Sequence, residues 1–441
     1  MTVVAAAGAT AARPFPSGNA QAEVIRFQLA VYYPARPATE PMTALRALVA
    51  RDWKKLSLVT GELPLAPAGL VVNARLENEV QKKYTPPNLA ALKLFGRGLS
   101  AAQTSALQGS QQALILNFTH PKVHALSGLR NAYGLAEQVA RKTGGLLWDE
   151  ETREVFTPES WHQRRLAKWT ANVPEISANT TIHSYKNGEL VRAISLGMAK
   201  FGLPDIVVDQ FAWSSSRSVA TLMNVVGQAL AEGALVGVGG QFDVDVRKIA
   251  HEEMREDTLK WLKPNAQKVG KLILVKADPD KGDPPNRLAA ISFARYRGPD
   301  VHARQTAMLA SMFSSTDSIK SISHNGQLEK ASELARKKLA TMASEFASGL
   351  PVGEYIQVKA PFATAAGDVE YMWVEIKKWK GNDIEGLLKN EPYDVPTLRS
   401  GQLVKVRLDQ VFDYMRSFPD GRQAGNTTGP IIQQMQGTTR N

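Results

Sequence analysis

The chain has 441 residues, no cysteine and a formal charge of +11. That length exceeds what one hydrophobic core usually serves, so two or three domains are expected. Without cysteine there are no disulfides, thiol nucleophiles or thiolate-held zinc, and no apolar run approaches the roughly 18–20 residues that cross a bilayer, so no transmembrane segment is expected.

The first residues, "TVVAAAGATAARPFP" (Thr2 to Pro16), form a small-residue apolar run in which Ala9-Thr10-Ala11 fits a signal-peptidase site, although the basic start of a leader is missing. Residues 1–20 are read as a leader or a disordered stretch. A truncated signal peptide would favour a periplasmic or secreted location. In "VIRFQLAVYY" (Val24 to Tyr33), Ile25, Phe27, Leu29, Val31 and Tyr33 alternate with Arg26 and Gln28, which predicts a half-buried strand. "MTALRALVARDWKKL" follows with Leu45, Leu48, Val49, Trp53 and Leu56 at helical spacing. A strand is expected at "GLVVNARL", a helix through "LAALKLFGRGL" and a buried strand at "ALILNF". Pro121 then opens a helix with the stripe Leu126, Leu129, Tyr133, Ala136 and Ala140, ended by Gly144-Gly145. "LLWDEETREVF" reads as a short hairpin turning at Glu150 to Arg153. Residues 21–158 are thus expected to form one α+β unit with helices against a mixed sheet.

A second such unit is expected over 159–318. Lys186-Asn187-Gly188 is a strong hairpin turn, "DIVVDQF" a strand, and Leu222, Val225, Val226, Ala229 and Leu230 mark a helix capped by Ser216 or Ser218. A charged helix around "EEMREDTLKWLK" and strands at "KLILVKA" and "LAAISFARY" complete it. The α/β sandwich so formed suits two ferredoxin-like units. From 319 to 416 the pattern changes to one helix, with Leu328, Ala331, Ala335, Leu339, Met342 and Phe346 on a stripe, and four short strands. This reads as a helix plus a small SH3-like β-barrel. Residues 417–441 are polar and Gly/Thr/Gln-rich and are expected to be disordered.

No complete catalytic or metal-binding motif emerges. "HEEMRE" (His251 to Glu256) lacks the second zincin histidine, His120 and His124 lack a third ligand, and "DPDKGD" lacks the spacing of a calcium loop. No cofactor and no metal are expected. Two stretches carry candidate binding residues. "SWHQRRLAKW" places Trp161, Arg164, Arg165 and Lys168 on one predicted helix, a combination suited to a polyanion or a protein partner. In "EYMWVEIKKWKGND", Met372, Val374 and Ile376 oppose Tyr371, Trp373 and Glu375, and Trp379 follows. One apolar face packs under the preceding helix. Tyr371, Trp373 and Trp379 are then either a second packing surface or an exposed patch.

The C-terminal phrases "GDVEYMWVEI", "IEGLLKNEP" and "LRSGQLVKVRLDQVFDY" closely resemble the YegJ-type bacterial domain of unknown function, through Glu370, Met372, Trp373, Val374, Gly386, Asn390, Pro392, Gly401 and Asp413, with Tyr414 where that family usually has tryptophan. Residues 110–240 more loosely resemble a second uncharacterised bacterial domain, through Gly197, Phe201, Gly202, Leu203, Pro204 and Asp205. Neither resemblance implies a catalytic residue. The expected function is a non-catalytic protein-binding or accessory module, immunity-like or envelope-associated. The alternatives are a hydrolase assembled from dispersed residues such as His183, Asp205, Asp209 and His251, and a binder of nucleic acid or another polyanion.

Overall fold

The computed structural model describes residues 13–170, 172–313, 326–364 and 367–432. They form an α+β structure around three main sheets. In the first sheet the central strand Val24–Tyr33 lies antiparallel to Gln112–Pro121 on one side and Leu146–Asp149 on the other. Strands Val71–Glu77 and Ser57–Val59 extend one edge, Glu154–Phe156 and Gly96–Arg97 the other. The period-2 pattern is realised directly: Ile25, Phe27, Leu29, Val31 and Tyr33 are all buried in the main core, alongside residues of the helices Pro41–Asp52 and Ala125–Thr143. The 125–143 helix starts later than Pro121 suggests, because Pro121 still belongs to the preceding strand and a 3₁₀ turn intervenes. It ends at Gly144 in the left-handed conformation, as expected. Ala30 and Tyr32, on the opposite face, pack with Val80, Leu92 and Leu107 in a second cluster. The helix expected through "LAALKLFGRGL" stops at Phe95, since Gly96 is extended and a second helix, Ala101–Leu107, starts from a Ser100–Gln103 capping box.

The second sheet runs in the order Thr181–Asn187, Leu190–Leu196, Asp205–Phe211, Leu288–Ser292, Val269–Lys276, Gln241–Asp245. Its inner pair, 205–211 and 288–292, is parallel; the other pairings are antiparallel. The helix Ser216–Ala231 contributes Leu222, Val226 and Leu230 to the same core that holds Leu29 and Leu116 of the first sheet. The first two sheets therefore share one hydrophobic interior. Neither Ser216 nor Ser218 caps this helix: the cap position is Ser215, without a side-chain bond, while the Ser216 hydroxyl donates to Trp213 O (2.6 Å). The segment expected to be a leader or disordered is packed from residue 13 onward, with Phe15 N donating to Leu274 O and Phe15 and Ala20 buried. The Ala9–Ala11 site lies outside the described residues.

The third sheet is an antiparallel series in the order Leu403–Arg407, Asp383–Leu388, Val369–Lys380, Tyr355–Ala363, Asp413–Ser417, Gln423–Gly425. It is open, so the expected small barrel does not form. Its two faces are covered differently, and neither needs closure. Ile356, Val358, Met372, Val374 and Ile376 share a core with Ala335 and Leu339 of the helix Gly326–Ala340. The opposite face carries Gln357, Trp373 and Glu375 and lies against the second unit. The single expected helix is broken into 326–340 and Ala343–Ser348. The described part of the tail expected to be disordered, 417–432, is packed. Gln423–Gly425 adds an edge strand, Ile432 is buried, and Asp413 Oδ2 accepts from Thr428 N (2.7 Å) and Oγ1 (2.6 Å).

Candidate binding cleft

Between the third sheet and the second unit lies a cleft of about 390 Å³, within the usual range of small-molecule sites. One wall comes from the sheet: Tyr355, Gln357, Trp373, Lys389 and Met415. The other comes from Ser214, Ser215 and Ser218 at the start of the 216–231 helix, and from Thr306, Leu309 and Ala310 of the helix Val301–Met312. Strand register explains the sheet wall. Gln357 faces Glu375 across the 355–363 and 369–380 strands, and Lys359 faces Trp373, with its ammonium 4.9 Å from the indole centroid.

The two parts are joined by polar contacts. Glu375 accepts from Ser214 Oγ and from Lys377 Nζ (2.5 Å). Burial alone would push the Glu375 carboxyl up, but Lys377 and Lys389 hold it below the usual carboxylate range. The Lys389 ammonium makes one long bond among the described residues, to Ser215 Oγ (3.4 Å). Burial pushes its pKa below the ordinary lysine value, and Glu375 opposes that shift. Gly401, at a φ of 84° in the loop before the 403–407 strand, lies against the 301–312 helix. A Cβ there would sit 2.6 Å from His302 O and nearer still to Thr306 Oγ1.

The phrases behind the first resemblance build this region. Asn390 Oδ1 accepts from Trp373 N (2.5 Å), and Lys389 N donates to Trp373 O (2.8 Å), which fixes both residues beside the cleft. Glu370 accepts from Tyr393 N (2.9 Å) and Asp394 N (2.9 Å) and holds the loop that follows. Gly386 leaves room for the backbone of Glu375. Residues 325–441 match a family described as an uncharacterized protein conserved in bacteria (DUF2314). The match covers the helix, the third sheet and the tail, and leaves the first two sheets outside it. No curated protein and no solved structure matches the chain.

The other candidate residues are placed as follows. Tyr371 packs at a tilt against Phe412, ring centroids 4.7 Å apart, and Trp379 packs on Phe346 and donates to Gly381 O (3.0 Å); neither lines the cleft. Trp161 is fully buried between Tyr133 and Phe156 and donates to Tyr133 O (3.2 Å). Arg165 is equally buried and bonds to Asp149 Oδ2 (2.9 Å), Glu154 Oε2 (2.7 Å) and Thr152 Oγ1 (3.1 Å). Neither can meet a polyanion at the surface. The expected continuous helix over 160–169 is instead a turn, Pro158–Trp161, that runs into a π turn, His162–Leu166. The wider turn changes which side chains point inward. Lys200 completes this charge cluster through Asp149 Oδ2 (2.5 Å). Three separate phrases, those around Asp149, Arg165 and Lys200, thus converge on one buried group. Arg164 is half-buried, its pKa lowered by burial, and Lys168 pairs with Glu253 (2.5 Å).

The residues proposed for a hydrolase are not brought into one hydrogen-bonded group. Asp205 accepts from Ser195 Oγ (3.0 Å) and Asn286 Nδ2 (2.8 Å), and Asp209 pairs with Arg192 (2.7 Å). His251 Nδ1 accepts from Met254 N (3.2 Å), capping the helix Glu252–Trp261, and His183 lies exposed on an edge strand. Among the described residues, no helix is long and apolar enough to cross a membrane.

Proposed function

We propose that the chain is a ligand-binding protein, and that its ligand is a small molecule held in the cleft between the second unit and the C-terminal sheet. The observation that carries this reading is the cleft itself. It has a molecule-sized volume, walls from two separate parts of the chain, and Trp373 at 6% exposure turned towards it. The binding role expected from the aromatic strand is kept, but its partner becomes a small molecule, because an indole so enclosed offers little surface to a second protein. Binding across two parts of a chain also gives a ligand leverage on how those parts sit together.

The test fills the cleft without touching its polar groups. Ala310 lines it from the helix Val301–Met312, in which phenylalanine costs under about 0.7 kcal/mol of helix propensity relative to alanine. Thermal unfolding would be followed for the wild type and Ala310→Phe against a panel of sugars, amines, carboxylates and phosphate. A panel member that binds the native state raises the wild-type midpoint, by about 2.7 kcal/mol of stability at a hundred times its Kd. Ala310→Phe should lose that response while keeping its own cooperative transition. A response of equal size in both proteins would place the binding elsewhere.

A further inference from the structure

Resting on that reading of the cleft, we infer that its ligand is a small oxyanion, a carboxylate or phosphate group recognised by Lys389 together with the hydroxyl and amide groups around it. The charge inventory of the walls carries this. Among the described residues lining the cleft, Lys389 has the one formal charge, and no carboxylate lines it. Glu375, behind the wall, is already neutralised by Lys377 at 2.5 Å, so this small group is left with a net positive charge. The Lys389 ammonium, with a single long bond to Ser215 Oγ, retains donors for a ligand.

A buried polar side chain points independently to a missing partner. Ser400 is 5% exposed and lines the cleft, yet its hydroxyl has no hydrogen-bond partner. Gln357 lines the same cleft and supplies an amide donor to it. Buried donors left unpaired are costly, and native structures seldom retain them without a ligand or water to satisfy them. Both can donate to an oxyanion. Ser215 and Ser218 add hydroxyls at the N-terminal end of the 16-residue helix 216–231, where backbone N–H groups and the helix dipole favour negative charge. A neighbouring groove of about 480 Å³ shares Thr306, Ala310 and Ser400 with the cleft, and it carries Lys263, Arg297 and Arg399 against Glu391. That positive approach would draw anions towards the cleft.

The experiment is calorimetric titration of the full chain at low ionic strength with inorganic phosphate, succinate and, as a neutral control, glycerol. The proteins are the wild type, Lys389→Met and Ser400→Ala. Ser400→Ala removes a hydroxyl that has no partner, so its unfolding midpoint should equal or exceed that of the wild type. Its anion affinity should nevertheless fall about three- to tenfold, the size of one hydrogen bond. Lys389→Met should lose at least about tenfold, the order expected for a charge-assisted contact. Phosphate binding without succinate binding assigns a phosphoryl ligand, and the reverse a carboxylate. Anion binding of equal strength in all three proteins would overturn the site. A neutral ligand that binds in competition with nothing anionic would overturn the ligand class while leaving the cleft in place. No response to any member of either panel would remove both readings.

Discussion

Glu151 stands at the turn of the hairpin 146–156, beside the buried Asp149 and at the rim of an open groove with Gln28, Asn73 and Asn117. Burial first, and then the charge of Asp149, push its carboxyl up from 4.5 to about 7, against the attraction of Lys200. Asp205 and Glu150 add to the rise. The folded state therefore holds a proton that the unfolded chain has already released between those two values. Its contribution to stability is complete below about pH 4.5 and is lost as pH climbs through 7. Glu151→Gln cannot titrate. Urea denaturation of both proteins should show the wild type losing about 1–2 kcal/mol relative to the variant between about pH 5 and pH 8, after allowing for partial exposure. A pH-independent difference would show that the carboxyl is not perturbed. None of this was legible in "LLWDEETREVF", which correctly announces a hairpin. The charge of Asp149 lies within the phrase, but the larger cause is burial under the rest of the fold, and spacing within one phrase carries no information about that. Arg165 makes the same point: its inward direction follows from a π turn that no helical periodicity signals.

At the scale of elements, alternation in the 369–380 strand was enough to separate its faces, with Met372, Val374 and Ile376 packed beneath the 326–340 helix. Alternation does not supply what covers the opposite face, and so it cannot distinguish an open sheet docked on the second unit from a barrel. That docking turns on Gly401. Its positive φ alone would cost any side chain roughly 1–2 kcal/mol, and a Cβ would also meet Thr306 and His302. Gly381 is the internal control, since it has a φ of 59° and nothing within 4 Å of an added Cβ. Gly401→Ala should therefore destabilise the protein by about 1–3 kcal/mol more than Gly381→Ala, the usual range for overpacking, as read from denaturant midpoints. Equal losses would mean that the contact with the 301–312 helix contributes little to docking.

For the whole molecule, the composition change near residue 319 suggests a boundary, and we propose that the chain opens as two cooperative units. Leu29 of the first sheet and Val208 of the second lie in one core cluster, whereas Val358 and Val374 of the third lie in another. The link between the C-terminal sheet and the second unit includes hydrogen bonds such as Ser214 to Glu375 and Lys389 to Ser215. Polar junctions of this kind leave relative motion as the default, while a shared apolar interior enforces joint unfolding. Native-state hydrogen exchange in increasing denaturant should then resolve two cooperative units. Amides of 24–33, 112–121, 205–211 and 288–292 would converge on one opening free energy, and those of 355–363 and 369–380 on a lower one. An anion bound across the cleft contacts both sides, so saturating phosphate or succinate should raise the lower value towards the higher one by the binding free energy available at that concentration. Exchange of all three sheets through a single opening, with or without anion, would mean that the polar junction couples as firmly as a core, and the cleft would then be a fixed feature of one domain.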